Sequence, residues 1–273
     1  MQLNLREDFA LYWQDQDPFQ AVEEISGKVY REKEGRRTLR FEQHGSAFFL
    51  KLHSGVGWFE IIKNLLQMRL PVIGASNEWQ AIKLLHEIGI DTLTPVAYGE
   101  RGLNPARKKS FLVTEELSNT LSLAKYVESW KDQRPPFVMK LAIIKKLAEI
   151  AEKLHRHGIN HRDLYLCHFL LDISAGAEKV QHHNLKFFLV DLHRAQIRSQ
   201  VPLRWQVKDV ASIYFSSMNL GLKKKDLFRF MKLYSKKSLR LTLQEDKVFW
   251  QKVQRRAEKL YVRDWKCKPP TFT

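Results

Sequence analysis

Cysteine is almost missing: the 273 residues hold two, Cys167 and Cys267. Two cysteines set so far apart build no disulfide framework, and the paired spacings of a cysteine zinc site are absent. No stretch approaches the roughly 18 uncharged apolar residues that a membrane span requires. The segment Met1 to Phe19 has no apolar core and carries Glu7, Asp8, Asp15 and Asp17, so no secretory signal is expected there. Cytoplasm is the expected address. Repeats and low-complexity tracts are also missing, which excludes solenoids and disordered linkers. Acidic charge is scarce: 30 Asp and Glu stand against 46 Lys and Arg, a net charge of +16. Residues 221–273 hold 16 Lys and Arg against 5 Asp and Glu. A field of this sign attracts polyanions such as phosphates, nucleic acid, anionic lipid or an acidic protein. The plainer account of the same charges is a solvated helical face.

What is present describes an ordinary globular chain, 44% apolar and 28% charged. The first third reads as strands: Val29 to Arg31, Thr38 to Phe41 and Ala47 to His53, separated by turns at Gly35 and Gly45. Apolar residues at helical spacing (Phe59, Ile62, Leu65, Leu66) predict a helix over Trp58 to Arg69, closed by Pro71 and Gly74. A second helix follows, capped by Ser76 or Asn77, carrying Trp79, Ile82, Leu85 and Ile88 and ended by Gly89. Thr94 to Gly99 and Ser110 to Thr114 complete an expected five-stranded antiparallel sheet. The chain then turns helical, with a long helix from about Val138 to His157 whose stripe is Leu141, Ile144, Leu147, Ala148, Ala151 and Leu154. The expected organisation is α+β and bilobal: a small sheet lobe over residues 1–116, a boundary near Glu115 to Ser118, and a larger helical lobe over 117–273.

The segment with most chemical content is His161-Arg162-Asp163-Leu164, shortly after the helix-ending Gly158. Asp191 follows 28 residues beyond Asp163, directly after the apolar strand Phe187-Phe188-Leu189-Val190. Two carboxylates at the ends of adjacent short strands suit phosphoryl transfer, in which one orients the acceptor hydroxyl and the other holds a metal on the β- and γ-phosphates. Taken singly, either Asp is as well explained as a turn or capping residue. Order and spacing add weight. Lys51 ends the third strand, where a cation grips the α- and β-phosphates, and Glu78 in the first turn of a following helix is placed to pair with it. Read alone, both are surface groups. Asp209, in Trp205-Gln206-Val207-Lys208-Asp209-Val210, is positioned to brace the catalytic loop from a later helix, or simply to start that helix.

In this order the residues resemble the protein kinase superfamily, with departures. No Gly-x-Gly-x-x-Gly loop exists; the first turn, Glu32 to Arg37, holds one glycine, and Arg36 and Arg37 there are candidate phosphate donors. The Asn of the kinase catalytic loop is replaced by His168, and the Asp-Phe-Gly triplet by Asp191-Leu192-His193. No Ala-Pro-Glu segment follows. An inactive pseudokinase is the alternative these departures open.

The strings His161 to Leu171 and Val190 to Gln196 resemble those of bacterial lipopolysaccharide core heptose(I) kinases. So do Glu60 to Leu66, Pro71 to Ala75 and Tyr214 to Asn219. The similarity runs from about Arg6 to Tyr234. That family carries His at the positions of His168 and His193 and is active, which argues against the pseudokinase. The resemblance implies ATP and Mg²⁺ as cofactors and transfer of the γ-phosphate to the first heptose of the inner core, at its 4-hydroxyl. By position it makes Asp163 the base or orienter, with Arg162 and His168 in the catalytic loop. It makes Asp191 the metal ligand, Lys51 the phosphate clamp and Glu78 its partner. His168 is either a second metal ligand or a satisfied structural histidine, and His193 shares that ambiguity. The acceptor would lie in the cytoplasmic leaflet, so a peripheral enzyme drawn to an anionic membrane surface is expected, through the tail after residue 221 or the Trp58 to Arg69 helix. The notable alternative for that helix is packing on its own lobe. The resemblance also suggests an acyl carrier protein as partner. Rival functions are another small-molecule or protein-tyrosine kinase of this fold, and a non-catalytic basic scaffold. Nucleic acid is not expected, because no ribonucleoprotein or zinc-finger signature occurs.

Overall fold

The structure, a computed structural model, describes residues 1–33, 35–55, 57–66, 74–133 and 135–271. Arg69 and the Pro71-Val72-Ile73 segment lie outside these residues. The chain forms two compact units: residues 1–84, 93–117 and 192–194 make the first, and 85–92, 118–191 and 195–273 the second.

Unit 1 is built on six antiparallel strands, β1 (Gln2–Leu5), β2 (Lys28–Lys33), β3 (Arg36–Gln43), β4 (Ser46–Ser54), β5 (Pro95–Arg101) and β6 (Lys109–Glu115), in the order β1-β5-β6-β4-β3-β2. One more strand than expected is present: β1 pairs with β5, Leu3 opposite Gly99. Two short helices between β1 and β2, α1 (Glu7–Tyr12) and α2 (Pro18–Glu24), were also not foreseen. The alternation of a strand decides what each face does. Leu39, Phe41, Phe48, Leu50 and Leu52 point to one face, where Phe9 of α1, Trp13 just after it, and Phe19 and Val22 of α2 bury them. Phe9 meets Phe48 edge to face at 5.1 Å and Phe19 meets Phe111 at 5.2 Å, the geometry aromatic quadrupoles favour. Gly99 has no side chain because a Cβ there would run into the Phe111 ring. The opposite face carries Thr38, Lys51 and Leu112, which are directly paired across β3, β4 and β6. Helix α3 (Gly57–Leu66) and helix α4 (Ser76–Glu87) follow β4. The Trp79 ring of α4 stacks on Tyr98 at 4.9 Å.

Unit 2 is mostly helical. After β7 (Thr120–Ser122) and α5 (Leu123–Tyr126) comes the long α6 (Phe137–Arg156), about 30 Å at 1.5 Å per residue. Its buried stripe includes Ile143, Ile144, Leu147, Ala148, Ala151 and Leu154. The short strands β8 (Ile159–Asn160), β9 (Phe169–Asp172), β10 (Phe187–Leu189) and β11 (Gln196–Ile197) form two small sheets, β10-β9-β7 and β11-β8. Asp163 and Asp191 therefore follow strands of different sheets, not adjacent strands as expected. Helices α7 (Leu203–Ser217), α8 (Lys224–Ser235), α9 (Leu239–Glu245) and α10 (Lys247–Trp265) complete the unit. Lys140 of α6 is buried but ion-paired to Asp226 of α8 at 2.6 Å, which satisfies both charges away from water. An apolar pocket of about 590 Å³ is lined by α5, α6, α7, α8 and α10, with Ile143, Leu147, Ile213, Phe230, Trp250 and Val253 among its walls.

Candidate active site

Gly158 ends α6 in a left-handed conformation, φ 76°. A Cβ there would collide with the Arg198 carbonyl, so only glycine lets the chain turn directly into β8. The loop beyond β8 is fastened by its backbone. Asp209 of α7 is fully buried, and its carboxylate accepts the N–H groups of His161 and Arg162, each at 2.7 Å. This is the brace expected of Asp209. The His155 ring bridges that carboxylate (Nε2, 3.4 Å) and the Tyr234 hydroxyl (Nδ1, 2.7 Å). Arg162 has φ 75°, a conformation costing an ordinary residue about 1–2 kcal/mol; the Asp209 bond on its N–H holds it there. Its guanidinium lies over the Trp205 ring, 4.9 Å from the centroid, and the residue is buried. Arg162 therefore positions the loop.

His161 donates its Nε2–H to the Val190 carbonyl (2.9 Å), and its Nδ1 accepts the N–H of Asp163 (3.3 Å). That pattern requires the neutral ring, and burial pushes the pKa down to match. One imidazole thus links the Asp163 segment to the residue preceding Asp191. Lys208 of α7 places its Nζ 3.4 Å from the Asp163 carboxylate. His168 donates Nδ1–H to the Asp163 carbonyl (2.6 Å) and turns Nε2 toward Asp191, 3.4 Å from Oδ2. Burial works against charging His168, but its hydrogen bonds to Cys167 and to the Asp163 carbonyl, with the fields of Cys167 and Asp191, prevail and push its pKa up to about 9. Without a cation nearby, His168 is an ion-pair partner for Asp191. Asp191 itself has φ 65°.

Among the described residues no group of three or more His, Cys, Asp or Glu is arranged to enclose a metal. Magnesium seldom asks for one: it takes one or two carboxylates and fills the remaining positions with phosphate oxygens and water. Asp191, about a third exposed, fits that requirement. His168 fits beside it, since the bond from Nδ1 to the Asp163 carbonyl fixes the tautomer whose Nε2 faces Asp191.

In unit 1, Lys51 and Glu78 come together at 2.6 Å, with Glu78 buried in the first turn of α4 and Lys51 partly open. Arg36 and Arg37 separate. Strand β3 begins at Arg36, so both arginines belong to it. Arg36 stands opposite His53 and so shares the face of Lys51, whereas Arg37 stands opposite Leu52 and points to the core side. The Arg37 Nε is buried there without a hydrogen-bond partner. His53, two residues beyond Lys51, is also buried. Burial, then the charges of Arg36, Lys51 and His193, push its pKa down to about 4.

Three functional positions escaped the sequence reading: Lys208, His155 and Tyr234. The only signal for Lys208 is a cation directly preceding the bracing Asp209. His155 is a polar residue next to Leu154 in the apolar stripe of α6.

Comparison with known proteins agrees with this chemistry. Residues 20–234 match the lipopolysaccharide kinase (Kdo/WaaP) family. The chain is 48% identical over 263 residues to lipopolysaccharide core heptose(I) kinase WaaP of Pseudomonas aeruginosa PAO1, covering 96% of this chain and 97% of the relative. It is 46% identical over 241 residues to the protein of that name in Escherichia coli K12, covering 88% and 90%. A solved structure described as WaaP in complex with acyl carrier protein superposes with a TM-score of 0.84 at 43% identity, covering 96% of this chain and 100% of the other. The α+β architecture with a small antiparallel sheet and a helical unit is thus a kinase-like fold, and the chain belongs to the lipopolysaccharide kinase (Kdo/WaaP) family.

Proposed function

We propose that this protein transfers the γ-phosphoryl group of ATP to a hydroxyl of the first heptose of the lipopolysaccharide inner core, at O-4. The observation that carries the reading is the loop held by Asp209, which presents Asp163 beside Lys208 and ties it through His161 and His168 to Asp191. Asp163 accepts the proton of the attacking hydroxyl. Lys208 orients that carboxylate and supplies positive charge where the transferred group gathers negative charge. Lys51, steadied by Glu78, grips the α- and β-phosphates, and Arg36 adds a second cation on the same face. Arg37, on the core side, has no part in this. Asp191, with His168 beside it, would hold Mg²⁺. That ion would supply positive charge to the nucleotide's phosphates and to the leaving group.

The acceptor is borne by a lipid, so the protein works at the cytoplasmic face of the inner membrane as a peripheral enzyme. No helix among the described residues is long and apolar enough to cross a membrane, and the net charge of +16 favours an anionic leaflet. The basic tail over residues 221–273 contributes to that attraction. An acylated acyl carrier protein is the proposed partner. The solved relative in complex with such a protein supports it, and the apolar cavity of unit 2 offers room for its acyl chain. Acylated carrier protein should raise the Tm of the purified protein, and the unacylated form should not, because only a ligand of the native state stabilises it.

The decisive experiment is incubation with ATP, Mg²⁺ and unphosphorylated core lipopolysaccharide, with the product assigned by mass and NMR. One added phosphate on the first heptose is expected. Asp163→Ala and Asp191→Ala should fold normally and lose at least about 100-fold in rate. Phosphate found on protein tyrosine instead, or no transfer at all, overturns the reading in favour of a protein kinase or a scaffold.

A further inference from the structure

Among the described side chains of α3, one is buried and four large apolar ones face water. Ile61 packs on Ala106, and the N–H of Gly57 donates to the Ala106 carbonyl at 3.1 Å. The helix is therefore fastened, at its first residue and at its middle, to the hairpin joining β5 and β6. Trp58 is 55% exposed, Phe59 82%, Ile62 52% and Leu66 81%. At about 100° per residue these four fall within roughly 100° of the helix circumference, a continuous stripe. Apolar residues scattered singly over a surface need no explanation, but a contiguous patch does. The same hairpin leaves Leu103 fully exposed at its tip.

Charge narrows the occupant. The hairpin carries Arg101, Arg107, Lys108 and Lys109, yet three of these are paired, Arg101 with Asp17, Lys108 with Glu100 and Lys109 with Glu23. An acidic protein docking here would find its complementary charges largely neutralised. Arg107, next to the Ala106 that anchors α3, is exposed, and so is Lys63 on α3 itself. A few inserted apolar side chains with exposed cations at the rim are what a helix lying in a lipid headgroup layer presents, and Trp and Phe are well suited to that depth. A ten-residue helix, about 15 Å long, lies on a bilayer and does not cross it.

We infer that α3, with the tip of the β5–β6 hairpin, is the surface by which the protein seats itself on an anionic lipid bilayer. The inference deepens the proposed function and rests on its lipid-borne acceptor. The net charge of +16 acts at long range to bring the protein to the leaflet, and the apolar stripe then retains it.

The test is co-sedimentation of the full chain with vesicles of phosphatidylethanolamine containing a minority of phosphatidylglycerol. The double variant Trp58→Ser, Phe59→Ser should lose about tenfold or more of its vesicle partitioning, with nucleotide binding unchanged. Arg107→Glu should lose a few-fold, and high salt should weaken wild-type binding only in part, because the stripe is insensitive to screening. Wild-type protein that does not bind the vesicles, or a double variant that binds as well as wild type, overturns the inference. So does a double variant that keeps vesicle binding but loses acyl carrier protein or self-association by light scattering, which would make the stripe a protein interface. Activity separates the two proposals. If wild type phosphorylates neither delipidated core oligosaccharide nor vesicle-borne lipopolysaccharide, the kinase reading fails while vesicle binding still decides the surface. If the double variant matches wild type on the delipidated acceptor and lags on the vesicle-borne one, both stand.

Discussion

The two units hold their functional side chains by different means. In unit 2 the loop bearing Asp163 is fixed through its backbone: Asp209 holds two N–H groups, Ser216 accepts a third from Leu166 at 3.2 Å, and His161 and His168 each join the loop's main chain to its surroundings. In unit 1 the proposed phosphate clamp rests on one side-chain pair, Lys51 with Glu78, whose lysine is a quarter exposed. A backbone-fixed loop keeps its geometry whether or not a ligand is bound. A clamp made of a flexible lysine is set by its partner and completed by the nucleotide. Damage to the first should therefore appear in kcat, and damage to the second in KM.

The largest effect should come from the brace. Asp209→Asn sets an amide NH₂ against a backbone N–H, so one buried donor goes unpaired, a cost of about 1–3 kcal/mol. A loop displaced by an ångström loses about 100-fold in turnover. The expected outcome is a fall in kcat with KM for ATP nearly unchanged, together with a lower Tm; a change confined to KM would erase the contrast between the units. Next comes the clamp. Glu78→Gln keeps the shape and removes the charge-assisted bond to Lys51, and steady-state kinetics should show KM for ATP rising about tenfold with kcat affected less. The smallest effect on turnover comes with pH, which acts on stability instead. His53 has a folded pKa near 4 against an ordinary value of 6.5, so the unfolded chain takes up a proton below pH 6.5 that the folded chain refuses until about pH 4. Stability is full above pH 6.5 and is lost as pH falls through that window, by about 3 kcal/mol in all. His53→Gln should flatten the Tm profile between pH 6.5 and 4 and leave the Asp163 loop unaffected.

Much of this was legible in the sequence because the informative residues sit at changes of local structure. Gly158 marks the end of a long amphipathic helix, and Asp191 follows a short apolar strand, so both places can be found without a partner in view. Arg36 and Arg37 were read together because Glu32 to Arg37 reads as a single turn in the sequence. Once β3 begins at Arg36, the two-residue period sends its neighbour to the other face. The N-terminal strand and helices were hidden because Gln2–Leu5 is a short edge strand with mostly exposed side chains, and the acidic residues of Glu7 to Asp17 mask the burial of Phe9 and Trp13. Lys208 was missed for a different reason. Its approach to Asp163 depends on how α7 is rotated against the loop, a tertiary fact that no local pattern encodes.

His155 has one further consequence. Its ring spans from the carboxylate that anchors the catalytic segment to the phenol of Tyr234, which stacks on Phe249 and touches Phe230 and Trp250 edge-on or face-on. Two of those aromatic neighbours, Phe230 and Trp250, also wall the large apolar cavity. Shifting α8 by a fraction of a turn would draw the phenol from the imidazole and leave the ring that contacts the anchoring carboxylate with one fewer tie. The footing of the loop that bears Asp163 thus extends into a greasy chamber behind it, and whatever fills that chamber helps decide how firmly Asp163 is held.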